Sequence, residues 1–274
     1  MSAGVLRPAP GLRAVVADNA GPMTLDGTRC YLVGESSCVL IDPGPAAGLP
    51  ARLEALAGER EVVAVALSHA HPDHAGGAAE AARRTGAPVV GSARTLDRAG
   101  LDGRAVEDGD GLAVDGAPAA LEAVATPGHS ADHLCWWWGP ERAVFTGDLV
   151  LGSGSAMVGH PDGHMASYLE SLERIRALGP ERLYPGHGEP VGDADARLAG
   201  YLRHRREREE QIRGAVEAGA ASVAEVRRRV YGGLPGRLAR AAEANVRAHL
   251  EHLEERGVAI PGIEVGEADG PLDH

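Results

Sequence analysis

In the stretch LSHAHPDHAGG, residues 67–77, three histidines and an aspartate fall within six positions: His69, His71, Asp73 and His74. Neutral imidazole and carboxylate are the donors that zinc and similar divalent ions take. Three histidines with a position left for solvent make an open, catalytic site rather than a closed structural one. A histidine taken singly is more often a surface or hydrogen-bonded core residue than a ligand. Four ligand-type side chains in six positions reverse that balance. Three further stretches repeat a strand, a tight turn and one such side chain: TPGHS with His129, FTGD with Asp148 and YPGHG with His187. Any one of them reads as an Asp or His stabilising its own turn, but all of them beside HAHPDH do not. Seven donors are too many for one tetrahedral zinc. They suffice for two ions about 3.5–4 Å apart that share a carboxylate and a hydroxide, make that hydroxide near neutral pH, and stabilise charge on the attacked group.

Such donors need strand ends to hold them. β-rich runs cover residues 12–18, 29–33, 38–42, 61–67, 87–91, 121–126, 135–138 and 142–147, each punctuated by Gly, Pro or Asp. Helical patterns cover 49–57, 76–85 and 165–178. The last sets Tyr168, Leu169, Leu172, Ile175 and Leu178 near helical spacing, a face to pack on a sheet. Strands interspersed with helices predict a layered α/β sandwich. Ser68 onward lies just past the strand at 61–67, where open α/β sheets keep their ligand crevices. In an extended segment His69 and His71 point to the same side. Pro72 then turns the chain, Asp73 and His74 enter the next helix, and the glycine pair at 76–77 lets that helix pack closely.

The 274 residues suggest one large domain, or one large and one small, and 44% hydrophobic residues suffice for a sizeable core. All 27 basic residues are arginine, read as coding bias, and the net charge of −12 argues against a nucleic-acid or anionic-membrane surface over the whole protein. Cys30, Cys38 and Cys135 form no CxxC pair and read as buried reduced thiols. The opening MSAGVLRPAPGL lacks the apolar core of a signal peptide, and no later run approaches the roughly 18–20 apolar residues of a membrane span. A cytoplasmic protein without membrane association is expected.

After about residue 192 the pattern changes. Residues 194–218 read as one long Arg/Glu-laced helix, followed by a helix capped by Ser222 and another with Pro235 near its start. VAIPGIE, residues 258–264, is short enough for a single β-wing, so a small winged-helix-like module is expected. The organisation is a catalytic domain over 1–192, a helical winged-helix-like domain over 193–260 and an acidic tail over 261–274. Residues 200–256 hold 12 arginines against 9 glutamates, and Arg227, Arg228 and Arg229 are the only basic triplet. That surplus is small for a nucleic-acid recognition helix and favours domain packing or a homodimer contact.

HxHxDH followed by TPGHS, GD and PGHG in this order resembles the metallo-β-lactamase fold of hydrolases over residues 12–192. The resemblance implies a four-layer αββα sandwich and two zinc ions, with iron or manganese as alternatives. It makes His69, His71 and His129 ligands of the first ion, Asp73, His74 and His187 ligands of the second, and Asp148 the bridge. A bridging hydroxide would be the nucleophile, with Asp73 also a proton acceptor. TPGHSADH, GDLVLG, YPGHG, YLRHRREREEQI and AEANVRAHLEHLEERG further resemble the lactamase-like protein 2 branch, whose members carry a C-terminal winged-helix-like region. That branch implies two substrate classes: single-stranded RNA for an endoribonuclease, or an acyl thioester, including a polyketide on an acyl carrier protein, for a thioesterase or cyclase. A non-catalytic, nucleic-acid-binding winged-helix regulator is the reading from another class, and a missing ligand would have favoured it. The 38 residues between Asp148 and His187 are too few for the insertion of the long nucleases of this fold.

Three more histidines are candidates for substrate or support. His133 would brace His129 or close its turn. His160 and His164, in the glycine-rich segment 152–164, would border the cleft and hydrogen-bond a carbonyl or phosphate. Trp136–Trp138 alternate across a strand, so at least one is core rather than a base-stacking platform.

Overall fold

Apolar residues in the N-terminal half build a mixed seven-stranded sheet. β1 (Leu6–Ala9), β2 (Leu12–Val16), β3 (Arg29–Val33) and β4 (Ser37–Ile41) are antiparallel; β5 (Glu61–Ala66), β6 (Val89–Gly91) and β7 (Arg104–Ala105) continue parallel to β4. Parallel neighbours need crossovers. These are α1 (Leu49–Ala57), then α2 (Pro72–Ala75) with α3 (Ala78–Thr85), then α4 (Ala93–Ala99). A second sheet has the order β12-β11-β10-β9-β8. In it β8 (Gly111–Val114), β9 (Ala117–Ala125), β10 (Leu134–Trp138) and β11 (Ala143–Gly147) form an antiparallel meander. β12 (Arg182–Pro185) joins parallel to β11 after crossing through α5 (Met165–Ala177). This computed structural model describes residues 4–159, 162–263 and 265.

The inner faces of the two sheets meet in one core, where Tyr31, Ile41 and Ala66 oppose Leu121, Trp136, Trp138, Phe145 and Tyr184. The outer face of the first sheet packs Leu32, Leu40 and Val65 on Leu49, Leu56, Ala78 and Ala81 of α1 and α3. The outer face of the second packs Val124, Cys135 and Val144 on Tyr168, Leu172 and Ile175 of α5. The result is the four-layer αββα sandwich. Trp136 and Trp138 are core residues, and Trp137 packs partly buried on the opposite face. All three cysteines are buried and free.

Strand direction positions the site. β9 and β11 are both antiparallel to β10 and therefore run the same way, and β12 is parallel to β11. The turns leaving these three strands thus lie on one edge. The Leu134 N–H donates to Ser68 O at 2.7 Å, and Trp136 Nε1 donates to Leu67 O at 3.2 Å. These bonds pin the end of β5 to the same edge of the other sheet.

α6 (Ala194–Glu217), α7 (Val223–Tyr231) and α8 (Gly236–Glu255) complete the described chain. Ser222 caps α7, its side chain accepting from Glu225 N, and Pro235 precedes α8. α6 serves two layers. Leu198, Tyr201 and Leu202 pack with α5, whereas Ile212, Ala215 and Val216 join Val226, Val246 and Leu250 in a separate helical core. The expected wing is not a strand among the described residues: 258–263 is irregular, with Ile260 and Ile263 buried on that helical core. Pro261 removes a ladder donor and Gly262 sits at φ 78°, which together interrupt any pairing. Most of the acidic tail, residues 264 and 266–274, lies outside the described residues. The sequence runs also missed β1, β7 and β8, short strands of two to four residues, and α4, whose Ser92 cap accepts from Thr95 N. No helix among the described residues is long and apolar enough to cross a membrane.

Candidate metal centre

All seven expected donors meet at that edge. His69 and His71 follow β5, Asp73 and His74 sit on α2, and His129, Asp148 and His187 leave β9, β11 and β12. His69, His71 and His129 form one group able to hold an ion, and Asp73, His74 and His187 a second; His69, His74 and Asp148 link them. His71 Nδ1 lies 2.8 Å from His69 Nε2 and 3.1 Å from His129 Nε2. A tetrahedral ion with metal–nitrogen bonds of about 2.0–2.1 Å separates its ligand nitrogens by about 3.3 Å, close to this spacing. Asp148 turns one oxygen to each group: Oδ1 is 3.4 Å from both His74 Nε2 and His187 Nε2, and Oδ2 is 3.7 Å from His129 Nε2.

The outer ring nitrogens fix what the inner ones offer. Ser68 Oγ donates to Asp42 Oδ2, so it accepts from His69 Nδ1 at 2.9 Å. His74 Nδ1 donates to Asp42 Oδ2 at 2.9 Å, His129 Nδ1 to Met157 O at 2.7 Å, and His187 Nδ1 to Gly27 O at 3.2 Å. With these tautomers, assigned from the hydrogen-bond network, four Nε2 lone pairs point inward. Asp73 Oδ1 and Asp148 Oδ1 are buried there without a hydrogen-bond partner. Converging lone pairs and orphaned carboxylate oxygens are stable together only around cations. The donor set fits divalent metal.

In the metal-free protein, protons take that place. Burial pushes the Asp148 carboxyl up, but His187 and His74 outweigh it and hold it well below the usual carboxylate range. Burial pushes the His74 imidazolium down, yet Asp73, Asp148 and Asp42 hold it well above the ordinary histidine value. His69 is driven well below that value by burial and then by His74 and His71. Metal binding must therefore release protons.

Two glycines are required by the packing. A Cβ on Gly186 would stand 2.5 Å from His74 Cε1 and 3.0 Å from Asp148 Oδ1. Gly147, at φ 45°, would place one 2.7 Å from both His133 Nε2 and Ser68 Cβ. In the glycine pair after HAHPDH, a Gly76 Cβ would collide with Pro72 O and a Gly77 Cβ would stand 3.0 Å from Gly44 O.

The remaining candidates divide. His133 is buried and braces Asp148 rather than His129: its Nε2 accepts from Asp148 N at 3.1 Å, and its Nδ1 lies 2.9 Å from Thr126 Oγ1. Burial, with His129, lowers it to about 3, so it stays neutral in this role. His164 does not border the cleft. It caps α5, accepting from Ser167 N, and its Nε2 pairs with Glu255 at 2.9 Å. His160 lies outside the described residues. Asp42 was not foreseen: it ends β4 at φ 47° and receives Ser68 N, Ser68 Oγ and His74 Nδ1. The only signal was an acid closing the run CVLID.

A cleft of about 240 Å³ opens over Asp73, His129 and Asp148. Its walls include Met23, Leu25 and Met157, with Leu238, Ala241 and Asn245 contributed by α8.

Comparison with known proteins agrees with this geometry. Residues 23–187 match the family described as Metallo-beta-lactamase superfamily, and residues 222–261 match the Beta-lactamase associated winged helix domain. A beta-lactamase-like protein 2 homolog from Caenorhabditis elegans is 33% identical over 258 residues, covering 89% of this chain and 84% of that protein. An atrochrysone carboxyl ACP thioesterase from Aspergillus chevalieri is 33% identical over 245 residues, 84% of this chain and 76% of that one. A metallo-beta-lactamase family protein from Thermus thermophilus, 23% identical, superposes with a TM-score of 0.75 over 91% of this chain and 95% of its own.

Proposed function

Because the chain belongs to the metallo-β-lactamase superfamily, a family of hydrolases, we propose that it hydrolyses acyl thioesters with an apolar acyl part, using two zinc ions. The cleft carries this reading. Its lining joins the carboxylates of Asp73 and Asp148 to an apolar wall, and none of the described lining residues is an arginine. A single-stranded RNA substrate needs cations along its backbone and stacking surfaces for its bases. Two of the basic triplet are already engaged: Arg227 pairs with Glu243, and Arg229 pairs with Glu225 while also donating to Ala215 O and Ala218 O. The thioesterase among the relatives supports the same substrate class.

Bound divalent ions would supply Lewis-acid polarisation of the carbonyl and acidify water at the centre. The residues do the rest. Asp73, whose burial is outweighed by His74 and a hydrogen bond to His187, is ionised in the metal-free centre, so it offers a carboxylate that would help hold the second ion and accept a proton released beside it. His133 holds the Asp148 backbone in place. The leaving group needs no acid: a thiol has a pKa near 8.5 and departs as thiolate, whereas the alkoxide of a phosphodiester would need a proton donor. A carrier-protein arm and a coenzyme A arm present the same reacting atoms. The imidazole and carboxylate donors suit zinc, and the absence of thiolate argues against Cu(I).

The test is thiol release from N-acetylcysteamine thioesters by zinc-loaded protein, beside cleavage of an unstructured fluorescent RNA, with Asp148→Asn as control. Thiol release lost in the control is expected. RNA cleavage without thiol release would overturn the reading.

A further inference from the structure

The C-terminal helices hold the loop that orients a metal-site histidine. Residues 156–158 have no regular secondary structure, although Ala156 and Val158 are buried. Their backbone is gripped from both sides. The Val158 N–H donates to Asn245 Oδ1 of α8 at 3.1 Å. Arg205 of α6, buried with its guanidinium over the Tyr168 ring, donates through Nη2 to Ala156 O and through Nη1 to the same Asn245 oxygen at 3.1 Å. Asn245 is itself oriented, its Nδ2 donating to Ala241 O at 3.0 Å. Between the two anchored residues stands Met157, whose carbonyl receives His129 Nδ1.

We propose that Asn245, acting with Arg205, is a positioning residue for His129, so that the winged-helix domain sets the affinity and geometry of the metal centre. Met157 O fixes the His129 tautomer and ring direction. That carbonyl can point at the ring only while its neighbours are held, and their holders lie roughly 50 to 90 residues further along the chain, on α6 and α8. Without Asn245, the Val158 N–H is buried without an acceptor and Arg205 loses the partner that aligns it. The segment then relaxes, and His129 Nε2 swings from the position it shares with His69 and His71. Disturbing such an outer partner of a histidine ligand weakens metal binding by about 10- to 100-fold. The proposal concerns the metal centre alone and holds whatever the substrate.

The experiment reads metal, not turnover, because Asn245 also lines the cleft and could affect substrate directly. Zinc affinity is measured by competition with a chromophoric chelator, and the ligand field by the visible spectrum of the cobalt-substituted protein, both without substrate. Asn245→Ala is expected to bind the zinc that His69, His71 and His129 would hold about 10- to 100-fold less tightly and to change the cobalt bands. Asn245→Asp keeps the acceptor for Val158 N–H and Arg205 and gives up only the Nδ2 bond to Ala241 O, with the Arg205 guanidinium left to orient the carboxylate, and is expected to restore both. Val226→Ala loosens the helical core without touching residues 156–158 and should leave both unchanged. Wild-type affinity and spectrum in Asn245→Ala would overturn the proposal. So would a tenfold loss in Asn245→Asp, or an equal loss in Val226→Ala.

Discussion

Asp42→Asn tests the logic of the metal centre at a residue that touches no metal. Asp42 is buried and uses both oxygens: Oδ1 accepts from Ser68 N at 2.8 Å, and Oδ2 accepts from Ser68 Oγ at 2.7 Å and His74 Nδ1 at 2.9 Å. Asparagine has the same shape and tolerates the positive φ of this position. Its amide has only one orientation free of a donor–donor clash at Ser68 N, with oxygen toward Ser68 N and NH2 toward His74. His74 Nδ1 then faces a donor and must give up its proton. The proton moves to Nε2, the atom 3.3 Å from His187 Nε2 and 3.4 Å from Asp148 Oδ1, and a protonated Nε2 cannot ligate. Restoring the old tautomer costs the buried charge-assisted hydrogen bond and sets two donors face to face. The expected loss is about 10- to 100-fold in affinity for the second ion, or about 1.4–2.8 kcal/mol. Folding stability should fall by about 1 kcal/mol, because the Ser68 N–H bond to the side-chain oxygen survives while Ser68 Oγ loses its acceptor at the new NH2. The assay is zinc stoichiometry after dialysis against graded chelator, beside urea unfolding of the metal-free protein. Two zinc ions bound with wild-type affinity would refute the tautomer argument.

Two further outcomes follow from packing and burial. Gly186→Ala drives a methyl group against His74 Cε1, which is fully buried and has nowhere to retreat. The variant should fold with an unchanged circular dichroism spectrum, yet lose at least about tenfold in metal affinity; full occupancy at wild-type affinity would count against it. His249 of α8 is buried 3.8 Å from Glu209, and burial lowers its pKa from 6.5 to about 4. A lowered histidine pKa means that the unfolded chain binds the proton first. Stability is therefore complete above pH 6.5 and drains away as pH falls toward 4, by an amount on the order of 3 kcal/mol. Urea unfolding in excess chelator should show that slope in the wild type and a shallower one in His249→Gln; equal slopes would remove His249 as its source.

The donors of the site were legible because each announces itself locally. Three of the seven, His129, Asp148 and His187, lie just past a strand end with a proline or glycine in the turn, and the other four crowd into HAHPDH. Residue type and spacing were enough. Their supports were not legible, and the reason is topological. Asp42 meets His74 across 32 residues, Gly27 meets His187 across 160, and Asn245 reaches Val158 across 87. An outer partner needs only one acceptor, which a carboxylate, an amide or any backbone carbonyl can provide. Such a residue carries no local pattern, and only pairing of the strands brings it into reach. His164 shows the converse error. A histidine in a glycine-rich loop near a ligand looks functional in sequence, but the start of α5 needed a cap and Glu255 needed a partner.

The wing failed for a related reason. VAIPGIE has enough apolar residues for a strand, and a strand there would have needed a neighbour to receive its N–H groups. α7 and α8 offer side chains rather than an open sheet edge, so burying Ile260 and Ile263 satisfied the apolar residues without any ladder. Among its described residues the domain consequently presents helices rather than a β-ribbon, and the exposed apolar side chain of Leu238 opens onto the metal cleft. Arg227 and Arg229 are drawn into ion pairs with the domain's own glutamates, while Asn245 and Arg205 face the catalytic layers. A module arranged in this way acts on the active site beneath it: Leu238 shapes the wall against which an acyl chain would lie, and Asn245 governs the ligand at the cleft floor.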